Sequence, residues 1–146
     1  MKDTFNIHGA MTAQLFKPDG TIITTHKDNL IVSGGFDFIA DAIGKATSRP
    51  GVMNTIAVGK GTTAVAASQT ALVSQVLSKT ATYSHTSGTK TFSFAVTFNA
   101  GEATAALTEA GVFNANGGTM LDRVVFSVIN KGADDKLTVT FTFTMS

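Results

Sequence analysis

The sequence has 146 residues, which is enough for one domain with its own core, and its formal net charge is +1. That charge supplies no dense basic patch for nucleic acid, and the absence of cysteine excludes disulfides, thiolate catalysis and cysteine-bound zinc. Charged residues make up 14% of the chain, against about 25% in a typical soluble domain. Either a partner covers part of the surface, or the exterior is built from small residues such as threonine.

The first 28 residues predict a β-hairpin. Residues 5–16 and 21–25 alternate as strands, with Gly9 as a bend or bulge. Pro18, Asp19 and Gly20 form the turn signal between them. We interpret residues 1–28 as a hairpin that is a candidate arm for partner contact. The beginning of the chain has no apolar run of the kind found in secretory signals, and no run approaches the ~20 residues of a membrane span, so we expect neither.

One helix is predicted, at about residues 34–46. Ser33 is placed to cap its N-terminus. An apolar stripe with helical spacing is formed by Phe36, Ile39, Ala40 and Ile43. We expect this stripe to pack on one end or one face of the sheet structure.

The rest of the chain predicts strands separated by turn signals. The strands cover residues 53–58, 76–85, 92–98, 103–114, 120–129 and 137–145. In the last one every odd position is apolar and every even position is threonine, which only an extended strand places on opposite faces. With the two strands of the hairpin, about eight strands are predicted. The pattern predicts a single, mainly all-β domain over residues 1–146, an antiparallel β-sandwich or a jelly-roll-like barrel with one helix.

Residues 62–73 are rich in alanine, threonine and serine and have no period. We interpret them as a long loop with one helical turn around residues 69–72. A loop of that length often contacts a partner, and the alternative is a loop packed down by its own alanines.

No pattern of residues indicates catalysis. Gly59, Lys60 and Gly61 follow a strand but lack the spacing of a phosphate-binding loop, so they are expected to form a turn. The three histidines are not paired, and the carboxylates are scattered over different elements. We therefore expect no enzyme, no catalytic residue, no cofactor and no metal. The phenylalanines are expected to fill the core, and an apolar ligand cavity between them is the alternative.

Four segments together resemble a group of virion proteins of tailed bacteriophages. They are residues 56–63, 107–114, 120–127 and 131–140, and the resemblance extends over roughly residues 29–146. The nearest likeness for a chain of this length is to the capsid cement, or decoration, proteins of short-tailed phages. Similar segments also occur in tail-fibre and tail-associated proteins.

The resemblance implies a non-enzymatic structural protein that binds the outside of the phage capsid lattice and stabilises it. Its implied partners are the major capsid protein and further copies of itself, as a dimer or trimer, with no nucleic acid and no membrane. Its implied location is the capsid surface of the virion, after synthesis in the cytoplasm of the bacterial host. The alternative is a tail-associated or fibre-base module that contacts the host. Phe5 and Ile7 are our candidate partner contacts, and they belong to the domain's own core if that expectation is wrong.

Overall fold

A computed structural model describes residues 4–146 as ten strands and one helix. In chain order the elements are β1 (Ile7–Phe16), β2 (Ile22–Asp28), β3 (Leu30–Ile31), α1 (Ser33–Gly44), β4 (Thr55–Gly59), β5 (Gln75–Thr80), β6 (Thr82–His85), β7 (Thr91–Phe98), β8 (Ala105–Phe113), β9 (Met120–Lys131) and β10 (Lys136–Met145).

The strands form two antiparallel five-stranded sheets that pack face to face. Sheet A has the order β2-β1-β10-β7-β6, and sheet B has the order β3-β9-β8-β4-β5. Both sheets are open, so within residues 4–146 the strands form a sandwich and do not close into one barrel. The predicted fold class, mainly β with one helix, is confirmed in its sandwich form.

Strand β10 is the centre of sheet A, where it pairs with β1 and β7. Its alternation has the predicted result, because Leu137, Val139, Phe141 and Phe143 are all buried against sheet B. The threonines between them lie on the outer face of sheet A. Phe141 is paired with Phe94 on one side and with Met11 on the other, so the middle of the core is built from three adjacent strands.

Each edge of the sandwich is crossed by a chain segment that passes from one sheet to the other. β2 in sheet A leads through Asn29 into β3 in sheet B, and β5 in sheet B leads through Ala81 into β6 in sheet A. The single strand predicted at residues 76–85 is therefore wrong, and β3 was not predicted. The backbone amide of Ala81 donates to the carbonyl of Asn54, which holds the crossing point. Alternation alone does not reveal where a strand leaves one sheet for another.

Helix α1 begins one residue earlier than predicted, and its cap and its buried face are not those predicted. Val32 occupies the capping position, without a side-chain hydrogen bond. Gly35 is buried and lies so close to β9 that a Cβ atom there would stand 3.0 Å from the carbonyl carbon of Leu121. Because Gly35 is the residue that approaches β9, a different side of the helix from the predicted one is buried. Phe36 and Ile43 of the predicted stripe are exposed.

The N-terminal hairpin is integrated into sheet A. β1 lies between β2 and β10, and its pairing with β10 is continuous past Gly9, so the expected bulge is absent. Gly9 lets the side-chain amide of Asn29 lie directly against β1, and a Cβ atom at this position would displace that amide. The turn is confirmed, with Gly20 at φ +91°. Residues 1–3 of the predicted arm lie outside the described residues, and the arm function stays a prediction.

Candidate functional site

A buried ion pair lies on the outer side of sheet B. Glu109 on β8 and Arg123 on β9 are both 0% exposed. The Nε of Arg123 donates to Oε1 of Glu109 at 3.0 Å, and Nη2 lies 3.0 Å from the same oxygen. Adjacent strands therefore supply the two charges, and neither charge can be removed alone without leaving the other buried and unpaired.

Glu109 also accepts three backbone hydrogen bonds from the segment that follows β4. Oε2 accepts the amides of Gly61 and Ser74, each at 2.7 Å, and Oε1 accepts the amide of Val73 at 2.9 Å. Burial raises the pKa of Glu109, but these amides and Arg123 outweigh burial and hold the pKa below its usual value. The carboxylate is thus ionised at neutral pH and ties both ends of residues 61–74 to sheet B.

Arg123 holds the middle of the same segment. Its Nη1 donates to the carbonyl of Thr63 at 2.8 Å and to Oε1 of Gln69 at 3.1 Å. Gln69 in turn donates from Nε2 to the carbonyl of Ala64 at 3.1 Å. We call Glu109 and Arg123 the clamp, and residues 62–73 the clamped loop.

The clamped loop covers a small second core on the outside of sheet B. This core contains Val32, Ala57, Leu72, Phe113 and Met120. The helical turn predicted around residues 69–72 is wrong, because these residues contain only a bend at residue 71, and the nearest turn lies at residues 67–68. The alternative of a loop packed by its own alanines is also wrong, since buried charged side chains and Leu72 hold it. Most of the loop remains exposed, so it presents a fixed, uncharged surface.

A second buried carboxylic acid lies between the sheets. Asp122 on β9 accepts the backbone amide of Val112 at 3.0 Å, and its other oxygen contacts Nδ2 of Asn29 at the crossing between β2 and β3. Burial, only partly opposed by these two hydrogen bonds, raises the pKa of Asp122 to about 8. Asp122 is therefore mostly protonated at neutral pH, in contrast to Glu109, which accepts three backbone amides and the guanidinium of Arg123.

Two further ion pairs are present among the described residues. Nζ of Lys17 lies 3.3 Å from Oδ2 of Asp135, whose charge also acts on the buried Lys131, and Nζ of Lys79 lies 2.8 Å from Oε1 of Glu102.

The three histidines are exposed: Nε2 of His8 lies 3.4 Å from Oδ1 of Asp28, and Nδ1 of His26 lies 2.9 Å from the hydroxyl of Thr12. Among residues 4–146 no group of three His, Asp or Glu side chains could hold a metal ion. The clamp itself has no exposed atom for a reactant, so its geometry serves to position the loop.

The outer face of sheet A is an array of small polar side chains, which we call the threonine face. Residues paired across the strands form four such rows, and a fifth row at the end of the same face holds Ile22, Phe16 and Lys136. The first row holds Thr24, Gln14, Thr138 and Thr97; the second holds His26, Thr12, Thr140, Ala95 and Thr82; the third holds Asp28, Ala10, Thr142, Ser93 and Ser84; the fourth holds His8, Thr144 and Thr91. The single carboxylate of these rows, Asp28, lies on the edge strand β2.

An apolar cavity of about 440 Å³ lies at one end of the sandwich, beneath α1. Its lining is formed by Ile7, Phe38, Ile39, Ala42, Val52, Met53, Tyr83, Phe92, Phe94 and Leu121. Ile7, a candidate partner contact, is half-buried and packs on the core at this cavity. Phe5, the other candidate, precedes Ile7 by two residues and is 62% exposed. Between them the backbone amide of Asn6 donates to the carbonyl of Ser146 at 2.7 Å.

The sequence analysis did not predict the clamp. A signal for the clamp was present, because Glu109 directly precedes the apolar residues 110–113 of β8 and Arg123 directly precedes the apolar residues 124–126 of β9. Charged residues within such strands are almost never fully buried unless they are paired.

Comparisons of the chain with protein-family models, with curated proteins and with solved structures found no match. The helix of residues 4–146, α1, does not have the length and apolar character needed to cross a membrane.

Proposed function

We propose that this chain is a non-enzymatic virion structural protein that binds the outside of a phage capsid lattice and stabilises it. The observation that carries the proposal is the threonine face. Its strands pair without interruption along β10, and its side chains are short and almost all uncharged. Such a face suits contact with a flat protein surface, because short side chains lose little conformational entropy when they are covered.

The size of the threonine face fits a contact that works through many copies. Strands about 4.8 Å apart and rows about 6.8 Å apart give each position about 33 Å², so the 17 positions of the four rows cover on the order of 550 Å². A standard protein–protein interface buries roughly 800 Å² on each partner. One copy would therefore bind weakly through this face, and many copies on a closed shell would bind together with much greater strength.

The four segments that resemble phage virion proteins also support the proposal, and they form part of the scaffold of the sandwich. They contain β4, most of β8 and β9, and the turn into β10. Both clamp residues and both glycines beneath the loop, Gly59 and Gly61, lie in these segments. The resemblance therefore rests on residues that hold the sandwich and the clamped loop, while the outer face of sheet A supplies the contact with the lattice.

A tail-associated module that contacts the host is the second candidate, and the clamped loop favours it. Recognition residues are often carried by loops that a rigid scaffold positions. This loop is exposed, yet three of its own hydrogen bonds and two from the flanking Gly61 and Ser74 hold it to Glu109 and Arg123. Binding of the purified protein to host cells, lost when the loop is shortened, would support this candidate over the capsid.

Particles that lack the protein test the proposal. We expect deletion of its gene to leave particles that release DNA at a lower temperature, and added wild-type protein to restore the release temperature. Thr140→Arg, in the middle of the threonine face, should fold but fail to restore it. Thr119→Arg, at the exposed turn between β8 and β9, is the matched control and should restore it. Unchanged particle stability after deletion would overturn the proposal.

A further inference from the structure

The cavity beneath α1 has an aromatic wall on the side of sheet A. Tyr83 on β6 and the residues Phe92 and Phe94 on β7 form this wall, with ring centroids 5.5–6.4 Å apart. The ring of Phe92 is also stacked on the fully buried Phe143, with centroids 5.2 Å apart. The core therefore holds the wall in place before any ligand arrives, as is usual for small-molecule sites.

The cavity extends from an exposed mouth to a buried floor. Val52 and Tyr83 lie at the mouth and are 74% and 59% exposed. Met53 and Leu121 lie at the floor and are 6% and 3% exposed. The half-buried Ala42 of α1 lies on the side opposite the aromatic wall. A molecule that enters between these residues leaves water on most of its surface, and burial of this kind is the main source of affinity for an apolar ligand.

The volume of the cavity fits a molecule of two or three rings. Small-molecule pockets have volumes of about 300–1,000 Å³, and this cavity has about 440 Å³. An engineered apolar cavity of about 150 Å³ in another protein stays dry and binds benzene. The cavity beneath α1 has about three times that volume, which corresponds to about 15–20 non-hydrogen atoms.

The lining of the cavity selects an uncharged ligand. Of the ten residues within 4–146 that line it, none is charged, and the hydroxyl of Tyr83 is their only side-chain oxygen. A carboxylate, phosphate or ammonium group that entered these surroundings without a partner would lose its hydration and gain nothing in return. The aromatic wall favours rings over an aliphatic chain, because offset and edge-on ring pairs contribute beyond the area that they bury.

We propose that the cavity beneath α1 is a binding site for an uncharged, mainly aromatic small molecule of about 15–20 non-hydrogen atoms. The bound molecule lies between the aromatic wall and Ala42, and covers Met53 and Leu121 at the floor. This site goes beyond the proposed function and does not depend on it, because the cavity opens between the sheets whereas the threonine face is on the outer side of sheet A.

Titration of the full chain with the dye N-phenyl-α-naphthylamine tests the site. This dye is uncharged, consists of a phenyl and a naphthyl group joined by nitrogen, and fluoresces strongly only in apolar surroundings. We expect one molecule to bind per chain, with a dissociation constant on the order of 10 µM. Anilinonaphthalene sulfonate has the same rings with one negative charge added, and it should bind at least about tenfold more weakly. Absence of saturable binding, or equal affinity for the two dyes, would overturn the inference.

Two pairs of variants locate the bound dye. Ala42→Leu fills part of the cavity and should weaken binding by about tenfold or more, whereas Ala40→Leu, on the exposed side of the same helix, should leave binding unchanged. Val52→Asp places a charge at the mouth and should also weaken binding, whereas Val128→Asp, outside the lining, should not. Because Val52 and Val128 are both mostly exposed, this second pair should fold even if Ala42→Leu does not.

Tyr83 provides a reporter at the mouth of the cavity, because the chain has one tyrosine and no tryptophan. After correction for absorption by the dye, tyrosine fluorescence should change in step with binding. Dye binding that neither Ala42→Leu nor Val52→Asp weakens would place the dye elsewhere and overturn the inference. A dissociation constant for the dye that rises with the concentration of the chain would also overturn it, because a second copy would then cover the mouth.

Discussion

Replacing Arg123 by methionine removes the cation from the clamp and leaves Glu109 buried beside three backbone amides. Methionine keeps the length and much of the volume of the arginine stem, so little of the loss comes from packing. Breaking a buried pair in this way typically costs about 3–5 kcal/mol, because the remaining charge has lost its partner. A small domain has a total stability of about 5–15 kcal/mol, so the variant should still fold, with a large loss of stability.

Two variants show whether this loss comes from the charge. Arg123→Lys keeps a cation near Glu109 but cannot contact both the carboxylate and the loop carbonyl of Thr63, so we expect a loss between wild type and Arg123→Met. Arg49→Met removes an exposed arginine that donates to the carbonyls of Lys45 and Ala42. That control should cost less than about 1 kcal/mol.

The assay is urea unfolding at pH 7 combined with amide hydrogen exchange. Arg123→Met should lower the free energy of unfolding and should speed exchange at the amides of Gly61, Val73 and Ser74 more than elsewhere in the sheets. A loss below about 1 kcal/mol, or exchange at these amides unchanged from wild type, would refute the view that the clamp holds the loop.

Three further changes probe the core, the buried acid and the glycines beneath the loop. Phe141→Ala should cost about 3–5 kcal/mol in urea unfolding, and its exposed neighbour Thr142→Ala should cost less than about 0.5 kcal/mol. The folded-state pKa of Asp122 is above its unfolded value, so the stability that it contributes is full at low pH and declines as the pH rises toward about 8. Asp122→Asn removes this decline, because asparagine does not titrate. We therefore expect the free energy of unfolding of the variant, relative to wild type, to rise by on the order of 3 kcal/mol between pH 5 and 8. A difference that stays constant with pH would contradict the raised pKa of Asp122. Gly61→Ala places a Cβ atom 2.6 Å from the Cβ of Val73 and should raise the rate of proteolysis in the clamped loop, whereas Gly51→Ala, with open space around it, should not.

The parts of the fold that sequence predicted well are those where one local pattern decides the outcome. In β10 the strict alternation of apolar residues and threonine predicts both the strand and its buried face, and both are confirmed. The turn at Gly20 follows from the same kind of local chemistry. The helix also follows from a local pattern, the spacing of its apolar residues, but that pattern did not predict which side of the helix is buried.

The parts that were missed depend on contacts between distant residues. The buried face of α1 is set by the close approach of Gly35 to Leu121, which no helical wheel contains. The clamp joins β8 and β9 to a loop that follows β4, and its role appears only when all three are placed together. Glu109 and Arg123 looked like two of several scattered charges in the sequence.

If the proposed function is right, the gene of this chain belongs to a phage, and antibody-gold labelling of that phage's intact virions, viewed by electron microscopy, tests the proposal most directly. We expect label spread over the surface of the heads. Label confined to the tails, or no label together with no peptides of the protein in purified particles, would contradict binding to the capsid.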